Sequence, residues 1–168
     1  PRRKNRDIMR NQLLSTLYRL AYPLARLWWR LWAPVRIGVR AIVLDTQNNV
    51  LLVRHAYGDE GWGFPGGAPK RLEGLADTAQ REVWEETGLH VQVERLHGIF
   101  DSFVEGKSDH VALFVCRAVA GPQPVPTSPE IVAVGFFSLT ALPSGTSSGT
   151  RRRLAEFLEQ KQASWGMW

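Results

Sequence analysis

The stretch that most constrains the fold of this chain runs from residue 67 to residue 89 and reads GAPKRLEGLADTAQREVWEETGL. An α-helix turns about 100° per residue, so its second half would place three glutamates on one face: Glu82, Glu85 and Glu86. Small apolar residues would fall on a neighbouring face that can be buried: Ala76, Ala79 and Val83. Gly88 is the residue type that commonly follows the last turn of a helix. The pattern therefore predicts a helix with one buried face and one acidic face.

The acidic face is electrostatically unfavourable for the helix that carries it. Glu85 and Glu86 would lie at the negative end of the helix dipole, and Glu82 would repel Glu86 one turn away. Arg81 precedes Glu85, which is the weaker order for a helical ion pair, so we expect little local compensation. A solvated surface helix is one interpretation. Clustered carboxylates also hold magnesium together with substrate phosphates, and this second interpretation predicts a metal site.

The same stretch resembles the Nudix box. That pattern is glycine, five residues, glutamate, seven residues, Arg-Glu, an aliphatic residue, any residue, Glu-Glu, any residue, glycine and an aliphatic residue. Every defined position is filled here: Gly67, Glu73, Arg81, Glu82, Val83, Glu85, Glu86, Gly88 and Leu89. Seven fixed residue types would coincide by chance about once in 10^8 windows. The resemblance is therefore highly specific.

The resemblance implies a mixed α/β (α+β) fold, in which a mixed β-sheet is sandwiched between helices. It also implies an enzyme, a pyrophosphohydrolase that cleaves the diphosphate bond of a nucleoside diphosphate linked to another group. Water is the nucleophile in such a reaction, and divalent metal ions neutralise the diphosphate. We expect Mg²⁺, or Mn²⁺ in its place, as the cofactor.

The resemblance also assigns roles to residues by position. The side chains of Glu82, Glu85 and Glu86 and the main-chain carbonyl of Gly67 would bind the metal. Arg81 would hold these glutamates in place, with Glu73 as its partner, and would not touch the substrate. The catalytic set of the box is therefore expected to be Arg81, Glu82, Glu85 and Glu86.

The general base varies among Nudix proteins, and acids outside the box are candidates for it. These acids are Glu105, Asp109 and Glu130. Glu130 follows a proline-rich loop and precedes an apolar strand pattern, which would bring a loop acid to a sheet edge. A solvated loop acid is the alternative interpretation for each of the three.

Two positions inside the box depart from the common form of the family. Lys70 stands where an acid is common, and Leu72 stands where glycine is common. Leucine resists the positive φ that glycine allows, so the shape of the loop over residues 68–72 is open. Lys70 adds a positive charge beside the expected path of the phosphates, and we expect its ammonium group to contact substrate phosphate.

Strand patterns flank the box on both sides. Apolar alternation and apolar runs predict strands at residues 35–44, 50–56, 62–64, 89–103, 110–119 and 130–137. A flexible linker is expected over residues 144–149 and a closing helix over residues 151–162. The predicted Nudix domain spans residues 34–163, and residues 164–168 are assigned to a C-terminal tail.

Residues 1–33 are expected to form a basic tail and an amphipathic accessory helix. Residues 1 to 40 carry ten Lys or Arg and one acid, whereas residues 41 to 168 carry eleven Lys or Arg and fifteen acids. Leucines spaced by three and four residues over 8–32 indicate a helix that Pro23 interrupts. Three roles are open: packing on the catalytic domain or on a second subunit of a homodimer, peripheral contact with an anionic membrane, and nucleic-acid binding.

Arginines interrupt every apolar run that could span a membrane, and no secretory cleavage site is visible. The single cysteine, Cys116, fits a buried thiol in a reducing compartment, so we expect a cytoplasmic protein. Marks that the family associates with ADP-ribose, coenzyme A and pyridine-nucleotide substrates are missing, which leaves the nucleoside diphosphate derivative open. Two alternative functions are a nucleotide sensor without turnover and an RNA 5′-end pyrophosphohydrolase that uses the basic arm.

Overall fold

The computed structural model describes residues 35–56, 61–103, 108–161 and 163–168. The chain divides into two compact units, Pro1–Val35 with Phe103–Ser108 and Arg36–Ser102 with Asp109–Trp168. The second unit contains nearly all of the described residues. The accessory helix expected within residues 1–33 lies outside the described residues.

The described residues form a mixed sheet and two α-helices. In chain order the elements are β1 Val35–Leu44, β2 Val50–His55, β3 Trp62–Gly63, α1 Leu75–Thr87, β4 Val91–Ser102, β5 Ser108–Ala118, β6 Ile131–Phe137, α2 Ser148–Leu158 and β7 Ser164–Met167. The strand order is β3-β2-β1-β5-β4-β7, and β6 pairs with β2. β7 runs parallel to β4, whereas the pairs β1–β2, β2–β3, β2–β6 and β4–β5 are antiparallel. The predicted mixed α/β fold is confirmed.

Both faces of the sheet are buried, because successive side chains of a strand point to opposite faces. On one face, Val39 and Ala41 of β1 pack in a cluster with Val83 of α1. On the other face, Ile42 of β1 packs in a second cluster with Leu154 of α2. The two helices therefore cover opposite faces and produce the expected α/β/α layering.

Helix α1 has the predicted position and orientation. Ala79 and Val83 are fully buried against the sheet. The helix ends at Gly88, which adopts a left-handed conformation with φ of 71° and donates its N–H to the Trp84 carbonyl. The acidic residues of the box are consequently fixed to a helix whose opposite side is part of the core.

The segment before α2 was expected to be a flexible linker, and that expectation is wrong. Ser147 caps the helix, since its hydroxyl oxygen accepts the Thr150 N–H at 3.2 Å. Thr146 is buried, and its hydroxyl donates to the Pro143 carbonyl at 2.8 Å. Side-chain capping therefore starts the helix at Ser148 instead of Arg151, and the helix ends at Leu158 instead of Gln162.

Residues 164–168, which the sequence analysis assigned to a C-terminal tail, contain β7, a strand of the main sheet. This strand pairs with Gly98–Asp101 of β4. The Trp168 side chain packs edge-on against Phe64 and Phe100, with ring centroids 6.4 and 6.0 Å apart. The carbonyl of Met167 accepts from the buried Arg153 side chain at 3.3 Å. The end of the chain is thus part of the core beneath α2.

Two further expectations concern burial and membranes. Cys116 is a buried free thiol, as predicted, and desolvation raises its pKa to about 12. Among the described residues, neither helix is long and apolar enough to cross a membrane.

Replacement of Gly149 by alanine should destabilise the protein although alanine is the better helix former. A Cβ at this position would lie 2.6 Å from Nε1 and 3.0 Å from Cδ1 of Trp168, so the indole would have to move. We expect Gly149→Ala to lower the free energy of unfolding by about 1–3 kcal/mol, measured by urea denaturation. Combined with Trp168→Ala, it should cost nothing more than Trp168→Ala alone. A full additional loss in the double variant would contradict this explanation.

Candidate active site

The side chain of Arg81 connects the acids of the box. Its Nε and Nη2 atoms donate to the two carboxylate oxygens of Glu73 at 2.6 and 2.9 Å. Its Nη1 atom donates to Glu82 at 2.7 Å and to Glu85 at 2.9 Å, and Nη2 also reaches the Ala68 carbonyl at 3.1 Å. The expectation that local charges leave the acids uncompensated is therefore wrong for Glu82 and Glu85. One planar guanidinium orients three carboxylates and the loop before α1.

Glu73 is the anchor of this arrangement. Hydrogen bonds from Arg81 lower the pKa of the Glu73 carboxyl to about 2, and the backbone N–H of Lys70 acts in the same direction. The same hydrogen bonds raise the pKa of the Arg81 guanidinium. Thr78 donates a further hydrogen bond to Glu73 at 3.0 Å. Glu73 is therefore ionised and fixed at neutral pH.

Glu85 forms ion pairs with two cationic side chains, Lys70 and Arg81. The Nζ atom of Lys70 lies 3.0 Å from Glu85 Oε1, while Arg81 occupies Oε2. These contacts, first that of Lys70 and then that of Arg81, lower the pKa of the Glu85 carboxyl. The structure thus places the ammonium group of Lys70 on a box glutamate. Its expected contact with substrate phosphate stays a prediction.

Glu86 lies in a different environment, although it follows Glu85 directly. Its residue surface is only 7% exposed, and Oε2 accepts the Gly66 N–H at 3.1 Å. Desolvation raises the pKa of the Glu86 carboxyl to about 7, against the opposing charge of Arg40. The nearby charges of Glu82 and Glu130 raise it further. Glu86 is therefore a buried acid whose negative charge is poorly compensated by the protein.

The loop before α1 approaches the glutamates through Gly67. A Cβ at Gly67 would lie 2.6 Å from the carboxylate carbon of Glu82, so any side chain there would displace this acid. The carbonyl of Gly67 accepts the Val39 N–H at 2.8 Å, which ties the loop to β1. A carbonyl oxygen has two lone pairs, so this hydrogen bond leaves one for another partner. The backbone and the carboxylates are thus close together, as a shared site requires.

Arg40 is a residue of the site that the sequence reasoning missed. It lies on β1 and donates to the carbonyls of Phe64 at 3.1 Å and Gly66 at 3.0 Å. Desolvation lowers the pKa of its guanidinium, while the charges of Glu86 and Glu82 act in the opposite direction. An arginine directly before the apolar run Ala41 to Leu44 was the available signal, because a charge inside a buried strand needs a partner.

The structure distinguishes among the three candidates for a general base. Burial lowers the pKa of His55 and the charge of Glu130 opposes this shift; the same charge adds to the raised pKa of Glu86, and the Glu130 carbonyl accepts the Ala56 N–H at 2.8 Å. Asp109 shares the strand face of Leu113, which packs in the cluster beneath α2, so it points away from α1. Glu105 lies outside the described residues. Of the two candidates that the structure describes, Glu130 is therefore the one that lies nearer to the box, and its role as the base stays a prediction.

Leu72 adopts the backbone conformation that glycine would adopt. Its φ is 63°, and its side chain is 97% exposed. The loop then returns at once to Glu73, whose N–H donates to the Lys70 carbonyl at 3.1 Å. Leucine at this position therefore accepts the strain of a left-handed conformation and gains no burial in return.

Comparisons with known proteins identify the family. The family described as NUDIX domain matches residues 34–159. A MutT-like protein of Streptomyces ambofaciens is 35% identical over 104 residues, which cover 61% of this chain and 63% of that protein. Nucleoside diphosphate-linked moiety X motif 6 of Xenopus laevis is 36% identical over 92 residues, which cover 51% of this chain and 42% of that protein. The chain thus spans less than two thirds of the length of these curated relatives.

A solved structure gives the same result for the fold. The MutT Nudix hydrolase from Burkholderia pseudomallei superposes with a TM-score of 0.65 at 26% identity, covering 73% of this chain and 97% of that one. This chain belongs to the Nudix family, whose hydrolases generally use divalent metal ions.

The residues of the site fit such an ion chemically. In the described parts of the chain, no three Asp, Glu, His or Cys side chains converge as a formed metal cluster. Glu82 and Glu85 are instead turned toward Arg81, and Glu86 toward Gly66. Carboxylate oxygens are the preferred ligands of Mg²⁺, and the poorly compensated charge of Glu86 would gain from a cation.

The strain at Leu72 should be removable. Leu72→Gly should raise the free energy of unfolding by about 0.5–1 kcal/mol, because glycine relieves the positive φ but also makes the unfolded chain more flexible. Leu72→Ala removes the same exposed side chain and keeps the strain, so it should give no comparable gain. Urea denaturation with unchanged m-values would measure both. Equal stability of the two variants would show that φ is not the cause.

The burial of Glu86 predicts a pH-dependent stability in the metal-free protein. Because its folded pKa of about 7 lies above the ordinary value of 4.5, the carboxyl group should destabilise the fold progressively as pH rises from 4.5 to 7. In EDTA, Glu86→Gln should be more stable than the parent by about 1–3 kcal/mol at pH 8 and equally stable near pH 4. Urea denaturation at both pH values would measure the difference. A constant difference at the two pH values would exclude desolvation of this group as the cause.

Proposed function

We propose that this protein is a magnesium-dependent Nudix hydrolase that cleaves the diphosphate bond of a nucleoside diphosphate linked to another group. We expect Mn²⁺ to support the same reaction in place of Mg²⁺. The observation that carries the proposal is that Glu86 lies against Gly66 and Glu82 against Gly67, while Arg81 holds both Glu82 and Glu85. The name of the Xenopus laevis relative, nucleoside diphosphate-linked moiety X motif 6, supports the same substrate class.

We assign the metal ligands to Glu82, Glu85, Glu86 and the Gly67 carbonyl. A bound divalent ion would neutralise the diphosphate and make a water molecule nucleophilic. Arg81 holds two of these acids in position through Glu73 and does not itself reach the substrate in this proposal. The hydrophobic attachment of α1 to the sheet keeps the acids on a rigid element, which catalysis by positioning requires.

Water attacks one phosphorus atom, and the bond from that phosphorus to the bridging oxygen breaks. The water proton must pass to a base, and we assign this role to Glu130. Its charge acts on both Glu86 and His55, and its backbone carbonyl accepts the Ala56 N–H at the end of β2, which supports a position beside the same site. In this proposal the Glu130 carboxylate accepts the proton of the attacking water, which is general base catalysis.

The rival functions differ in what they require. A nucleotide sensor needs binding without turnover, yet every glutamate of the box is retained. An RNA 5′-end pyrophosphohydrolase would use the basic arm of residues 1–33, which the structure does not describe. Homodimer formation, peripheral membrane contact through this arm and a cytoplasmic location stay predictions from the sequence.

Metal-dependent hydrolysis of a substrate panel tests the proposal. The panel holds nucleoside triphosphates, nucleotide sugars, ADP-ribose, dinucleoside polyphosphates and 5′-triphosphorylated RNA, each with Mg²⁺ and with EDTA. We expect one class to be hydrolysed, and we expect Glu85→Gln to lower that rate by at least about 100-fold because charge stabilisation at the diphosphate is lost. Glu94→Gln is the matched control. Glu94 lies on β4, and its Oε1 atom is 3.2 Å from Nε of Arg117 on β5, so its ion pair is separate from that of Arg81.

The outcomes separate the functions. Turnover that needs metal and is lost only in the box variant supports the hydrolase. Nucleotide binding without turnover would identify a sensor and overturn the proposal. Activity confined to triphosphorylated RNA and lost when residues 1–33 are deleted would favour the RNA pyrophosphohydrolase.

A further inference from the structure

Both carboxylate oxygens of Glu85 are occupied by cations of the protein itself. Arg81 Nη1 lies 2.9 Å from Oε2, and Lys70 Nζ lies 3.0 Å from Oε1. Under the proposed function, Glu85 is also a ligand of the divalent ion. A metal that binds Oε1 would therefore meet the Lys70 ammonium group at the same oxygen, and the repulsion between the two cations would favour displacement of the ammonium group.

The backbone of Lys70 is held in place, whereas its side chain is not. The Lys70 N–H donates to Glu73 Oε2 at 2.8 Å, and its carbonyl accepts the Glu73 N–H at 3.1 Å. Its side chain is 62% exposed and makes its ion pair at the end of a long flexible stem. The Lys70 ammonium can consequently leave Glu85 without disturbing the loop.

Arg81 differs from Lys70 in this respect. Its side chain is only 17% exposed, and Glu73 holds it through two hydrogen bonds at 2.6 and 2.9 Å. Displacement of Arg81 would break these bonds and leave a nearly buried charge without its partner. Of the two cations on Glu85, Lys70 is the one that an incoming metal can displace at small cost.

We infer that Lys70 is a displaceable counter-ion that competes with the divalent cation for Glu85 and so weakens the affinity of the site for metal. This inference rests on the proposed function, because it requires Glu85 to be a metal ligand. It is separate from the expected contact of Lys70 with phosphate, which would change the Michaelis constant. Competition acts without substrate, on the metal affinity itself.

Removal of the competing charge should strengthen metal binding. Lys70→Met keeps most of the apolar stem and removes the ammonium group, and Mn²⁺ titration followed by electron paramagnetic resonance measures the dissociation constant without substrate. We expect about three- to tenfold tighter binding, since a single charge a few ångströms away in a solvated site has an effect of this order. Lys70→Glu should bind Mn²⁺ at least as tightly as Lys70→Met does, because it replaces the competing positive charge by a negative charge that attracts the metal.

Arg71→Met is the matched control. Arg71 is exposed, adjacent in sequence, and makes no ion pair within the part of the chain that the structure describes. Its replacement changes the net charge by the same amount, so it reports the general electrostatic effect. We expect its dissociation constant for Mn²⁺ to stay within about twofold of the parent value. Equal tightening by Arg71→Met and Lys70→Met would overturn the inference.

A double variant separates competition at Glu85 from other effects of Lys70. In the Glu85→Gln background, Lys70→Met should no longer change the Mn²⁺ affinity, because the contested oxygen has lost its charge. An unchanged affinity in Lys70→Met alone, while Glu85→Gln weakens binding, would refute the inference and leave the proposed function intact. Unchanged affinity in Glu85→Gln itself would remove Glu85 from the metal site and refute both.

Discussion

The bidentate ion pair between Arg81 and Glu73 is the interaction on which the site depends. Its two hydrogen bonds, at 2.6 and 2.9 Å, fix the plane of the guanidinium, and this orientation determines where its other donors point. The remaining donors then orient Glu82, Glu85 and the loop carbonyl of Ala68. A lysine could not replace Arg81, because a single ammonium cannot present donors in one rigid plane to three carboxylates. Arg81 thus reduces the repulsion among the carboxylates that lie close together at one end of the helix.

Two neighbouring acids of α1 show how the fold gives like residues unlike properties. Glu85 faces solvent and two cations, and those cations lower its pKa. Glu86 is nearly buried against the loop at Gly66, and desolvation raises its pKa to about 7. Both positions carry the same residue type, glutamate. The difference arises because one residue of a helix turns toward the sheet where the next turns away.

The elements whose pattern is local could be predicted from the sequence, and those decided by distant contacts could not. The strong periodicity of α1 and the alternation of β1 gave their positions, and the spacing of the box gave the acids of the site. Arg40 was missed because its partners, the carbonyls of Phe64 and Gly66, lie more than twenty residues away. The position of Lys70 on Glu85 was missed for the same reason, since fifteen residues separate them. β7 was missed because its pattern is short and only pairing with β4 defines it.

The pairing of β7 with β4 also covers part of an edge of the sheet. β4 is twelve residues long, and Ile99 within it is 45% exposed. A long strand with free backbone groups and apolar side chains at the edge of a sheet is a template for strands of other chains. Residues Gly98–Asp101 are instead paired with a strand of only four residues, and Trp168 anchors that strand in the core. β7 thereby covers four of the twelve residues of β4, and the part of the edge that includes Ile99 is no longer open to strands of other chains.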